Sequence, residues 1–207
     1  MVKKIFQILL GLGIVGLAYY LIMQVVGPLQ FQQEHDRREK AVIEKIVNIR
    51  DAQRAYKQVY SKFTDNFDEL IRFVLNDSLT YVMSIGSADD SVAVAQGLVR
   101  REEFKIAAID TVFSSLGVKL TPSEVRDLPY VPFANGQKFI LNAGELTTGA
   151  RVTVPVMECK APYKMFLADL REQELINLID YRMTIGKYPG IKVGSMDQAT
   201  NEAGNWE

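Results

Sequence analysis

From Ile5 to Gln33 the chain carries no charged residue, and between Ile5 and Val26 only Gln7, Gln24 and small residues interrupt the apolar run. At about 1.5 Å per residue, roughly 22 helical residues cross a hydrocarbon core of ~30 Å. The pattern therefore predicts one transmembrane helix, with Lys3 and Lys4 at its leading edge. The run is longer than the apolar region of a cleaved signal peptide, and Gly27-Pro28-Leu29 is not a small-x-small cleavage site. Gly27-Pro28 marks a kink or break where the chain leaves the bilayer.

Beyond it, Glu34/Arg38 and Asp36/Lys40 pair at i,i+4 spacing, and Ile46, Ile49, Ala52, Tyr56, Val59 and Phe63 recur at steps of three and four. This is a long amphipathic helix, either separate from the anchor or continuous with it. Its apolar face packs on the chain's own domain or on a partner helix. Ile46, Ile49, Tyr56, Val59 and Phe63 are thus the candidate partner-contact residues. Thr64-Asp65-Asn66 breaks the helix, and Asn66 with Glu69 forms a capping box for a second one, whose apolar face is Phe67, Leu70, Ile71, Val74 and Leu75. Asn76-Asp77-Ser78 ends that helix, and Ser84 to Gln96 is small and polar, a loop.

The period then changes. Phe104–Phe113 reads as a strand, Asn135-Gly136 as a turn, and 138–141, 144–146 and 151–157 as short strands around a turn at Gly149. Pro155 points to a sheet edge or a bulge. Asp169 and Glu172 form a second capping signature, opening a helix with Leu175, Ile176, Leu178, Ile179 and Met183 on one face. Gly186 caps it, Tyr188-Pro189-Gly190 fits a type II turn, and Ile191–Val193 makes a last strand before a polar tail tethered by Trp206. The fold class is α+β: a transmembrane helix leading into an amphipathic helix, then a small mixed domain with short antiparallel strands and a C-terminal helix. The segments are 1–33 (N-terminus and anchor), 34–84 (helical stalk and second helix) and 85–207 (soluble domain).

Charge narrows the partners. The 207 residues hold 24 basic and 25 acidic side chains, which argues against a nucleic-acid binder, since those show a basic excess. Cys159 is the only cysteine, so no intramolecular disulfide and no cysteine cluster for a metal is expected. Lys3 and Lys4 lie closer to the span than Arg37 and Arg38, which are interleaved with Glu34, Asp36 and Glu39. The positive-inside rule then puts the N-terminus in the cytoplasm and the domain in a periplasm or outside.

Chemistry is harder to find. His35 is the single histidine and sits in a charged helix just past the span, where it reads as a solvated residue. A Ser-His-Asp or Cys-His mechanism needs a histidine beside its nucleophile, so no catalytic residue is assigned. Asp89-Asp90 and Asp65/Asp68 match no calcium loop. No metal and no cofactor is expected. The span also lacks any ionisable residue, as a proton-carrying subunit would need. Gly11, Gly13 and Gly16 within it leave room for a close helix partner, so self-association is compatible with the pattern.

The stretch Ile49–Thr64 with Phe67–Leu70 resembles the helix exit of type IV pilins and pseudopilins. The resemblance implies an apolar helix extending into an amphipathic half, an aromatic loop and a small antiparallel sheet. It does not extend to polymerisation: Lys4 is followed by Ile5-Phe6-Gln7 rather than a Gly-Phe processing site, and no glutamate opens the helix. The tail Glu202–Glu207 is similar to that of uncharacterised single-pass bacterial envelope proteins. The expected function is a non-catalytic envelope component with a structural or assembly role through protein contacts. The alternative is a membrane-tethered ligand-binding domain or enzyme.

Overall fold

The computed structural model describes residues 2–85, 100–113, 119–149 and 151–207. Helix α1 runs without interruption over Val2–Tyr60, 59 residues, through Pro28. Of the kink or break expected at Gly27-Pro28 the break is absent, and the amphipathic helix is continuous with the apolar run, one of the two arrangements expected. Proline removes one intrahelical hydrogen bond, and the long helical stretches on either side carry the axis across it. The N-terminal part of α1 is bare, with Leu12, Val15 and Tyr19 all exposed, whereas its last turns are packed within the protein. Among the described residues α1 is the one helix long and apolar enough to cross a membrane.

The chain leaves α1 through Ser61, held in the left-handed region, and returns in α2 (Phe67–Asn76). Gln53 fixes this turn. Its side chain is wholly buried, donates to the Thr64 carbonyl at 2.6 Å and accepts from the Thr64 N–H at 3.1 Å. Two backbone groups that lack a secondary-structure partner are thereby satisfied. Asn66 caps α2 by accepting from the Asp68 N–H, but Glu69 does not complete the expected capping box. Its carboxylate is engaged instead by the Tyr56 hydroxyl at 2.7 Å and the Thr64 hydroxyl at 2.8 Å.

Strands β1 (Ser78–Ile85) and β2 (Arg100–Ala107) form an antiparallel ribbon in which Tyr81 faces Phe104 and Leu79 faces Ile106. The strand expected at Phe104–Phe113 thus ends at Ala107. A turn of helix, α3 (Ala108–Thr111), follows and delivers Phe113 to the core. The Ala108 N–H bonds to the Asp77 carbonyl at 2.9 Å, which turns the chain at that point. The loop expected at Ser84–Gln96 begins later, since Ser84 and Ile85 end β1; the remainder, with Asp89-Asp90, lies outside the described residues. Helix α4 (Pro122–Arg126) carries a capping box from Thr121 and Glu124 that the hydrophobic pattern did not single out.

The second sheet is antiparallel, in the order β3 (Ile140–Thr147), β4 (Thr153–Pro162), β5 (Gly190–Gly194). Asn135 and Gly136 both take positive φ, and the Gln137 N–H returns to the Ala134 carbonyl, a type I′ turn. Three short strands were expected here; two long ones are found. The β3–β4 turn falls at Gly149 as expected, and among its described residues Arg151 takes positive φ. Pro155 pairs with Glu145 where β4 extends beyond β5, so it lies on a locally open edge as its missing N–H requires. A short α5 (Tyr163–Phe166) and then α6 (Glu172–Thr184) connect β4 to β5. Gly186 and Lys187 close α6 with N–H bonds to Met183 and Arg182. No type II turn follows: the Gly190 N–H bonds to Tyr188, a three-residue turn over Pro189. Gly190 is required by close approach, because a Cβ there would meet the Ala161 carbonyl across the sheet.

One core joins these elements. Val42, Ile46 and Ile49 of α1 pack with Leu70 and Phe73 of α2, Phe113, Leu128, and Met157, Cys159 and Val193 of the sheet. Residues from the 34–84 and 85–207 segments share this core.

Candidate interaction surface at the base of the domain

Four turns of α1, from Gly27 to Lys40, meet the connection between β4 and α6. Phe31, Glu34, His35, Arg38 and Glu39 on the helix face Tyr163, Phe166, Asp169 and Leu170. Arg38 is the tie between them. Its buried guanidinium grips both oxygens of Asp169, with Nη2 at 2.8 Å from Oδ2, and Nη1 also donates to the Phe166 carbonyl at 2.8 Å. The Phe133 ring lies 5.0 Å from Arg38 and 5.1 Å from Arg37, a face shared by two cations. Arg37 in turn donates to Glu34 at 2.7 Å. Asp169 was expected to cap α6. It is instead held by Arg38, and α6 begins at Glu172 without a side-chain cap.

His35 is not the solvated residue its charged neighbours suggested. The domain folds back onto the helix base, leaving the imidazole 12% exposed between Phe31 and Tyr163. Nδ1 lies 2.9 Å from Asp36, while Nε2 is buried without a hydrogen bond, 3.7 Å from Glu39. The Tyr163 hydroxyl reaches Glu39 at 3.4 Å, and burial pushes that hydroxyl up to about 12, so it remains a neutral donor. Ligand atoms of His35, Asp36 and Glu39 come within 4.8 Å of one another. No Ser, Thr or Cys side chain bonds to His35 among the described residues. Cys159 is fully buried, and desolvation raises its thiol far above the usual range, which leaves it unreactive.

Further up α1 the tail docks on a basic face that flanks this one. Glu202 accepts from Arg54 at 3.1 Å and Lys57 at 3.3 Å, and Glu207 from Arg50 at 2.6 Å. Asn205 completes the edge of β5: its backbone N–H donates to the Lys192 carbonyl, its Oδ1 accepts from the Lys192 N–H, and its Nδ2 donates to the Gly190 carbonyl. Trp206 is half-buried against the core, as expected of a tether.

Of the five candidate partner contacts, Ile46, Ile49, Tyr56 and Phe63 are buried in the protein's own core and Val59 is exposed. The exposed apolar surface that remains on the domain includes one face of the β1–β2 ribbon, with Tyr81, Phe104 and Ile106.

The salt links set a pH dependence. Hydrogen bonds from Arg38 to Asp169 and from Arg37 to Glu34 hold both carboxyls below their usual range. A carboxyl whose folded pKa is depressed stabilises the fold above its unfolded value, and that contribution disappears as the pH falls through the folded one. The melting temperature should therefore fall on acidification below about pH 4, and less steeply in Asp169→Asn. Identical slopes for the two proteins would exclude Asp169 as a contributor.

No protein-family model, curated protein or solved structure matches this chain.

Proposed function

We propose that the chain is a single-pass membrane protein of the cell envelope, non-catalytic, that holds a rigidly mounted domain against the bilayer for assembly with other proteins. One observation carries the reading: the same continuous helix is bare and apolar at its N-terminal end and buried as the domain's central core helix at the other. A span joined to its domain by a flexible linker lets the domain reorient; this one ties domain orientation to the membrane. Arg38–Asp169 braces that junction, and the tail salt links hold the domain to the helix further along. Lys3 and Lys4 at the edge of the span support a cytoplasmic N-terminus, with the domain on the periplasmic or outer face.

The assembly role draws on two features. Between residues 100 and 170 the interior is filled by Phe113, Val125, Leu128, Phe139 and Met157. The ribbon, meanwhile, leaves Tyr81, Phe104 and Ile106 uncovered on a single face, anchored at one end by buried Leu79. Aromatic side chains on an open face are what protein interfaces are enriched in. Photo-crosslinking in cells from Phe104 and Ile106 should capture a discrete partner, whereas a probe at Ile49 should yield none. If the ribbon positions also capture nothing, the assembly role fails.

A further inference from the structure

We propose that the cleft between α1 and the α5–α6 connection binds the phosphate of an anionic phospholipid, with Arg171 as its principal ligand. This rests on the single-pass reading. The cleft, about 440 Å³, is lined by Gly27, Phe31, Glu34, Asp169, Leu170 and Arg171. Gly27 follows the last residue of the apolar run, so the cleft opens at the level where hydrocarbon gives way to headgroups.

Its charges are unevenly committed. Glu34 is taken by Arg37 and Asp169 by Arg38, so both carboxylates of the lining are neutralised by neighbours. Arg171 has no ion pair and no side-chain hydrogen bond among the described residues. Glu172 and Glu174, which follow it in the first turn of α6, do not pair with it either. Its guanidinium lies against the backbone of Gly27, in the space any side chain at that position would fill. An uncommitted guanidinium offers a planar fork of donors matched to phosphate oxygens. Phe31 and Leu170 beside it, both half-buried, supply an apolar wall for the glycerol and upper acyl chain. The absence of a Cβ at Gly27 lets the cation lie directly on the helix at the headgroup level.

The same chemistry would accept free phosphate, and the test separates the two. The full chain is reconstituted with fluorescent phosphatidylglycerol or phosphatidylcholine, and retention of each lipid is measured with and without millimolar inorganic phosphate. One basic residue near an anionic surface is worth about a fivefold preference. Wild type should favour phosphatidylglycerol by about that factor, Arg171→Gln should lose the preference and Arg171→Lys should keep part of it. All three should melt alike, since Arg171 is exposed. No preference in wild type, or an undiminished one in Arg171→Gln, overturns the site. Displacement by inorganic phosphate overturns the lipid assignment. Vesicle flotation run alongside isolates the premise: a chain that floats but shows no preference defeats this site alone, and one that does not float defeats the anchor and this site together.

Discussion

Arginine placed at both Leu12 and Val15 is expected to release the full chain from the membrane into the soluble or aggregated fraction. Thirteen Leu, Ile, Phe and Val residues lie between Ile5 and Val26; at about −0.3 to −0.6 kcal/mol each they favour insertion by roughly 4–8 kcal/mol. Each central arginine costs about 2.5–3.5 kcal/mol, so two offset most of that gain, whereas one would leave the span inserted. Carbonate extraction reads the outcome. Both residues are exposed and touch nothing in the domain, so the released protein should retain its fold. Retention in the pellet after extraction would show that something other than this helix holds the chain to the membrane.

The second large effect lies at the other end of the same helix. Ile49→Ala should destabilise the domain by about 2–5 kcal/mol, because Ile49 is fully enclosed and its removal leaves a cavity as well as lost burial. For a chain of this size that lowers the melting temperature by roughly 4–20 °C. Val59→Ala, ten residues further along the same stripe but exposed, should lie within about 0.5 kcal/mol of wild type. Equal losses at the two positions would mean that the stripe is not divided between core and surface as described.

The contrast between Ile49 and Val59 shows how far the sequence could be read. Steps of three and four revealed the helix and its apolar face, because burial of one face imposes that period. What the face packs against is a tertiary matter, and no local pattern distinguishes the domain's own sheet from a partner. The long helix was legible, but the choice between a separate helix and one continuous through Pro28 was not, since the proline signal is local and the helix on both sides overrides it.

The base of the domain was the least legible part. Asp169 stands three residues before Glu172 and looked like a helix cap. It is recruited by Arg38, 131 residues away in sequence, and such a pairing has no local signature. Glu69 was drawn off its capping role in the same way, by Tyr56 and Thr64. His35 read as solvated because its sequence neighbours are charged; it is the fold-back of Tyr163 that encloses it. Turn chemistry was a better guide where geometry is set by the residues themselves, at Asn135-Gly136 and Gly186, and failed at Gly190, where the constraint comes from Ala161 on the neighbouring strand. The capping box at Thr121 and Glu124 was readable in principle, as a threonine three residues before a glutamate with proline between.

The proposed function requires span and core helix to be one rigid element. Amide hydrogen exchange on the full chain in lipid bilayers tests it directly, at residues 29–41, between the apolar run and the first fully buried positions of the core. Slow exchange is expected throughout that window, continuous with the protection of Val42–Tyr60. Rapid exchange confined to residues 29–41, between two protected stretches, would reveal a flexible linker and contradict it.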